Sequence, residues 1–141
     1  MKRILLCIAL ITSFTATAKM TDCDIAKEAF RDSGSLLSDV VIFGSSKDRT
    51  PESYDYYHAW YKNYYPKKLK EIKSRYDAYQ QSDSNNPIYL GLISIIEANN
   101  FAKAMDKYLE DANSNNELLK ASTDNYKAMY KQLVKDCGKI Q

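Results

Sequence analysis

The stretch YDYYHAWYKNYYP, residues 54–66, decides the fold, because it holds six of the twelve tyrosines and the only tryptophan of the chain. In an α-helix, successive side chains are rotated by about 100°, so residues three and four apart share a face. We expect the residues of one arc to face the core of a helical bundle. This core-facing set comprises Tyr54, Tyr57, Tyr61, Tyr64, Tyr65, Leu69, Ile72, Tyr76 and Tyr79.

Two aromatic residues of the stretch, Tyr56 and Trp60, fall roughly 100° or more away from this arc. They share their side of the helix with an asparagine and two lysines. Aromatic side chains on an otherwise polar face are typical of a protein contact. An alternative is that the indole packs beneath the loop after the first helix. The sequence thus predicts a partner-binding surface of Tyr56, Trp60, Asn63, Lys67 and Lys70.

Pro66 interrupts the helical pattern. Its ring nitrogen has no hydrogen to donate, and the ring crowds the carbonyl group of Lys62. The second helix therefore either kinks at this point or breaks and restarts with Pro66 in its first turn.

Capping residues divide the chain into four helices. Proline follows two of the expected N-caps, and Ser114 with Glu117 has the spacing of a capping box. Gly44 is expected to end the first helix, and the second should extend to about Gln81. The four expected N-caps are Thr21, Thr50, Asn86 and Ser114.

Four helices joined by short loops favour an all-α, up-down-up-down bundle. Cys23 and Cys137 lie on the apolar sides of the first and last helices, which meet at one end in this topology. We therefore expect a disulfide between them that closes the single domain, residues 19–141.

Residues 1–18 have the three parts of a secretory signal peptide. Lys2 and Arg3 precede an apolar region of eleven residues at 4–14, and the sequence Ala-Thr-Ala at 16–18 has the pattern of a cleavage site. The apolar segment is shorter than the roughly 20 residues that span a bilayer. We predict a mature chain that begins at Lys19, lacks a transmembrane segment and is periplasmic or secreted.

Several functional classes are not expected for the mature chain. Removal of Lys2 and Arg3 leaves 18 basic and 18 acidic residues, so the strong positive excess of a nucleic-acid-binding domain is missing. One histidine and two distant cysteines do not predict a metal site, and familiar catalytic and nucleotide-binding motifs are missing. We therefore expect neither an enzyme nor a bound cofactor.

Two ionisable residues leave alternatives open. His58 is expected to be a hydrogen-bonded histidine among aromatic rings, and ligation of a haem is the alternative. Glu97 is either a buried general acid or, in the favoured interpretation, a carboxylate that pairs with lysine or lies at a solvated helix edge.

These features together favour an exported protein-binding module over an enzyme. The outline resembles that of small periplasmic immunity or inhibitor proteins, which are exported to neutralise a toxin or a cell-wall hydrolase. The resemblance implies another protein as the partner. The alternative function is the binding of a small ligand, such as a haem, a lipid or a glycan, by the tyrosine-rich helix.

Overall fold

The computed structural model of the protein describes residues 20–45, 49–111 and 115–140. These residues form α-helices, with one short 3₁₀ turn at Asp77–Tyr79 and no β-strand. The expected signal peptide and the expected new N-terminus at Lys19 lie outside the described residues. The helices are α1, Asp22–Gly44; α2, Pro51–Asn63; α3, Tyr65–Ser74; α4, Pro87–Glu110; and α5, Glu117–Cys137.

The starts of α1, α2 and α4 confirm three of the expected caps. The side chain of Thr21 accepts the N–H of Asp24 at 3.2 Å, and the carboxylate of Asp24 accepts the N–H of Thr21 at 3.0 Å. Thr50 and Asn86 likewise accept backbone N–H groups in the first turns of α2 and α4. These bonds satisfy donors that the helix itself leaves without acceptors.

The start of α5 differs from the expected capping box. The helix begins at Glu117, directly after Asn116, so Glu117 is its first residue and not its third. The side-chain oxygen of Asn115 accepts the N–H of Glu117 at 3.2 Å. This Asx-type turn satisfies the donor locally and delays the start of the helix. Ser114 lies outside the described residues.

The helix ends before Pro66 and a new helix begins there, as one of the two interpretations predicted. α2 ends at Asn63, and α3 begins at Tyr65 with the proline in its first turn. α3 then ends at Ser74, short of the expected Gln81. Tyr64 lies at the junction as the C-cap of α2, where the backbone departs from the helix with φ −114°; its side chain is 68% exposed and not in the core, so its expected burial is wrong.

α1 and α4 lie side by side and begin at the same end of the molecule. There the amide of Asn86 donates to the carboxylate of Asp22 at 2.7 Å. At the other end, Gly44 of α1 lies against the side chain of Met105 of α4. Small residues line much of this contact, which lets the two backbones approach closely. The fully buried alanines of the pair are Ala26, Ala29, Ala98 and Ala102.

α2 and α3 cover one side of this central pair. The hydroxyl of Tyr57 donates to the backbone oxygen of Ala102 in α4 at 2.9 Å. Lys68 of α3 pairs with Asp39 of α1 at 2.6 Å between Nζ and Oδ2. These contacts place the tyrosine-rich segment mainly in the core, as the helical projection predicted for most of its residues.

α5 packs against the other side of the central pair. A chain of hydrogen-bonded hydroxyl groups joins the three helices. Ser94 of α4 donates to Ser33 of α1 at 2.9 Å, and Ser33 is 3.0 Å from the hydroxyl of Tyr126 in α5. The rings of Phe30 and Tyr126 lie 4.5 Å apart. The contacts between the helices are consistent with the expected bundle.

The expected disulfide is confirmed. Cys23 and Cys137 are bonded, and their Cα atoms lie 5.4 Å apart, within the usual range. The bond joins the start of α1 to the end of α5 at one end of the bundle. The chain between the two cysteines is therefore a covalently closed loop. No helix in the described ranges is long and apolar enough to cross a membrane.

Candidate protein-binding surface

Of the two aromatic residues predicted to face outward, Tyr56 does so and Trp60 does not. Tyr56 is 63% exposed, but Trp60 is only 8% exposed, so its expected exposure is wrong. The ring of Phe43 covers Trp60, with centroids 4.5 Å apart and planes within 9° of parallel. Phe43 lies in the last turn of α1. A helical projection of α2 alone therefore cannot predict that Trp60 is covered.

Trp60 is the centre of an aromatic cluster that joins three helices. Besides Phe43 of α1, it contacts Tyr57 of α2, with ring centroids 5.5 Å apart, and Tyr65 of α3, at 5.4 Å. The indole therefore fixes the position of α1 and of the break between α2 and α3. Its role in the fold is that of a core residue.

Tyr56 lies on the outside of the same cluster. Its ring is 5.8 Å from that of Phe43, at an angle of 30°, so the tyrosine is supported from beneath by the Phe43–Trp60 pair. A large exposed ring held in this way loses little side-chain freedom on contact with a partner.

Two further exposed residues are close in the sequence to members of this cluster. Ile42, which precedes Phe43, is 64% exposed, and Tyr64 follows Trp60 by one turn, with its N–H donating to the Trp60 carbonyl at 2.9 Å. The four apolar residues at 40–43 cannot all face one side of a helix, which was a usable sign of an exposed apolar residue. We define the aromatic patch as Ile42, Phe43, Tyr56, Trp60 and Tyr64.

The other three residues of the expected surface, Asn63, Lys67 and Lys70, are exposed. The amide of Asn63 donates to the backbone oxygen of Ala59 at 2.8 Å, which ends α2 beside the patch. Lys67 and Lys70 belong to α3. Because the helix restarts at Tyr65, their position relative to Tyr56 no longer follows from the continuous projection.

The buried tyrosines beneath the patch are poorly suited to bind a haem iron, because a tyrosine ligand acts best in its ionised form. Burial raises the pKa of Tyr57 and of Tyr65 well above the usual value, and it also raises that of Tyr61. Tyrosine that ligates haem iron does so through its oxygen, which binds best when ionised. The burial that fixes these phenols in the core thus opposes haem ligation by Tyr57 or Tyr65.

His58 forms the expected hydrogen bond, but at the edge of the core. Its Nδ1 is 2.8 Å from the carboxylate of Asp106 in α4, and its side chain is about one third exposed. The ring of Tyr54 lies beside it, with centroids 5.0 Å apart. His58 therefore ties α2 to α4 at the rim of the bundle.

Glu97 is half-buried at an open depression between α4 and α5. Lys103 and Lys107 line the same depression, which favours the interpretation of Glu97 as part of a solvated helix edge. Within the described ranges, no cluster of three or more histidine, cysteine or acidic residues could hold a metal ion.

Comparisons with known proteins give no family for the chain. No protein-family model matches it, and neither the curated proteins nor the solved structures contain a significant match.

Proposed function

We propose that the protein is an exported protein-binding module that contacts its partner through the aromatic patch together with Asn63, Lys67 and Lys70. The observation that carries the proposal is the exposure of Tyr56 above the stacked rings of Phe43 and Trp60. The class of activity that we favour is that of an immunity or inhibitor protein, with a toxin or a cell-wall hydrolase as its target.

Three properties of the patch support this proposal. Tyrosine is enriched at protein interfaces, where its ring supplies a large contact area. The support beneath Tyr56 lowers the entropy lost on binding. The exposed lysines Lys67 and Lys70 favour a partner with acidic residues at its rim, because such charges speed association and select the partner.

Export is part of the same proposal. The pattern of residues 1–18 supports it, and a disulfide is typical of oxidising compartments. Intact-mass measurement on material recovered from the periplasm or the medium should give a chain that begins at Lys19. A mass that retains residues 1–18 would refute the signal peptide.

We also infer that the four helical segments alternate in direction, with α2 and α3 together forming the second. The pairing of Asp22 with Asn86 supports a common direction for α1 and α4. The disulfide between the start of α1 and the end of α5 supports the opposite direction for α5.

The binding proposal is tested by capture with matched variants. Mature protein is immobilised and exposed to periplasmic and secreted fractions of the producing culture and of competing strains, and the captured proteins are identified by mass spectrometry. We expect one stoichiometric partner, and its capture should be lost with the double variant Tyr56→Ala/Tyr64→Ala. The control is Leu118→Ala, which removes an equally exposed apolar residue from α5.

The comparison between the two variants decides the outcome. Equal capture by the Tyr56→Ala/Tyr64→Ala variant and the unmodified protein would show that the aromatic patch is not the binding surface. Capture lost to the same extent with Leu118→Ala would show non-specific adhesion through exposed apolar residues.

A further inference from the structure

A cavity of about 230 Å³ lies between the end of α3 and the first half of α4. Tyr89, Leu92 and Ile96, spaced by three and four residues, form one wall along α4. Tyr89 and Ile96 are partly exposed there, so the rest of the described chain leaves an apolar surface uncovered. The cavity is at the end of the bundle where α1 and α4 begin, whereas the aromatic patch is near the end of α1.

Tyr76 lines the cavity, and its hydroxyl already has a hydrogen-bond partner. The hydroxyl is occupied, since it donates to the carboxylate of Asp32 at 2.8 Å, and the residue is only 4% exposed. The carboxylate of Asp32 is itself paired with Arg75. The lining is therefore mainly apolar, with Ile93 and Ile95 as further aliphatic residues and Gln80 as a neutral polar one.

The rim of the cavity carries a positive charge. Among the described residues that line it, Lys73 is the only charged one. Lys73 also borders a neighbouring depression, together with Lys70 and Asp77. Asp77 accepts a hydrogen bond from the amide of Gln80 at 3.0 Å. The depression is thus lined by two lysines and one acidic residue, which leaves an excess of one positive charge.

We propose that this cavity binds an amphiphile with one acyl chain and an anionic head group. The chain lies against Leu92 and Ile96, and the head group pairs with the ammonium group of Lys73. The volume is below the roughly 300 Å³ at which pockets for drug-sized ligands begin, which favours a single chain over a larger ring system. This site is separate from the aromatic patch, so it stands independently of the proposed protein partner.

The test is calorimetric titration of the mature protein with dodecanoate below its micellar concentration. We expect saturable one-to-one binding. Lys73→Glu should weaken dodecanoate binding by about tenfold or more and leave the uncharged dodecanol unaffected, because only the charged head group uses the lysine. Ile96→Glu should abolish binding of both probes, since it puts a carboxylate in the path of the chain.

The control is Val41→Glu, which places the same charge at an exposed apolar residue of α1 outside the cavity and should leave binding unchanged. Dodecanoyl lysophosphatidylglycerol distinguishes the two sources of such a ligand. Binding of dodecanoate alone identifies a free fatty acid, and binding of both identifies the chain with any anionic head group.

Three results would overturn the proposal. The first is the absence of saturable binding of dodecanoate, and the second is an equal loss with Val41→Glu and Ile96→Glu. The third is a Lys73→Glu variant that binds dodecanoate as tightly as the unmodified protein. Circular dichroism checks that each variant is folded, and Ile96→Ser replaces Ile96→Glu if the latter does not fold.

Discussion

Gly91 of α4 lies so close to Ala26 of α1 that a Cβ atom on the glycine would be 2.7 Å from the backbone oxygen of Ala26. The same atom would be 3.0 Å from the Cβ of Ala29. Neither neighbour is the movable end of a flexible side chain, so only a shift of one helix against the other could make room. The close contact between α1 and α4 thus depends on the absence of a side chain at residue 91.

Gly91→Ala should lower the free energy of unfolding by about 1–3 kcal/mol, the usual cost of overpacking a core. Alanine is intrinsically the better helix former, so a loss of stability would identify the helix contact as its cause. Urea unfolding followed by circular dichroism measures the change.

Gly34→Ala is the matched control. Gly34 also lies inside a helix, but a Cβ there would meet only the hydroxyl of Tyr126, at an ordinary contact distance of 3.4 Å. This variant should be as stable as the unmodified protein or more stable by about 0.5–1 kcal/mol. Equal effects of the two substitutions would contradict the close approach at Gly91.

Trp60→Ala should destabilise the fold by about 3–5 kcal/mol, as the removal of a large buried ring usually does. Tyr56→Ala removes a ring that is mostly exposed and should cost about 0.5 kcal/mol, or slightly more through its stacking on Phe43. Chemical unfolding of both variants measures the difference.

Tryptophan fluorescence checks the same assignment in the unmodified protein. Buried Trp60 should emit at a shorter wavelength than free tryptophan and resist quenching by acrylamide. Red-shifted, readily quenched emission from the folded protein would place the indole in solvent and return it to the binding surface.

The hydroxyls of Tyr57 and Tyr65 should contribute to stability with opposite signs. That of Tyr57 donates to the Ala102 carbonyl, whereas the buried hydroxyl of Tyr65 has no hydrogen-bond partner among the described residues. Tyr57→Phe should cost about 1 kcal/mol, and Tyr65→Phe should be neutral or stabilising. A clear loss of stability in Tyr65→Phe, measured by urea unfolding, would reveal a partner for its hydroxyl.

The buried tyrosines should make the fold sensitive to alkali. Their pKa values are raised in the folded protein, mainly by burial, so the folded state keeps protons that the unfolded state releases above about pH 10. Stability should therefore fall as the pH rises beyond about 10, and the tyrosines should give it no pH dependence below that value. Denaturant midpoints across this range measure the effect, and a flat profile would contradict it.

Loss of the disulfide should lower the melting temperature by many degrees. The two cysteines are 114 residues apart in sequence, and the chain-entropy estimate for a loop of about 100 residues is roughly 4.7 kcal/mol, an upper value in practice. Cys137→Ser should show this loss. Thiol titration of the unfolded, unreduced protein should detect neither cysteine, and detection of both would refute the bond.

The features that sequence reasoning predicted correctly depend on nearby residues. The caps at Thr21, Thr50 and Asn86 follow from hydrogen bonds that reach two or three positions along the chain. The interruption at Pro66 follows equally from one residue. The disulfide required the order of the helices as well, but the cysteines at the two ends of the mature chain carried that information.

The main feature that it missed depends on a contact between distant segments. Trp60 is buried because Phe43 arrives from another helix, and no period within α2 encodes that arrival. The exposure of Tyr64, by contrast, has a local cause, since the residue lies at the junction where the continuous helix assumed for it is interrupted. For the candidate surface, the exposure of Tyr56 was predictable, whereas its contact with Phe43 depended on how α1 meets α2.

The bond between Cys23 and Cys137 also determines how the protein would carry a mechanical load. A force that pulls the two chain ends apart passes through the covalent bridge and does not reach the helices between them. The aromatic patch is near the far end of α1, about 30 Å from the bridge at 1.5 Å per residue. A molecule tethered through either terminus would thus hold the patch away from its point of attachment, and tension between the two termini would not unfold the helices.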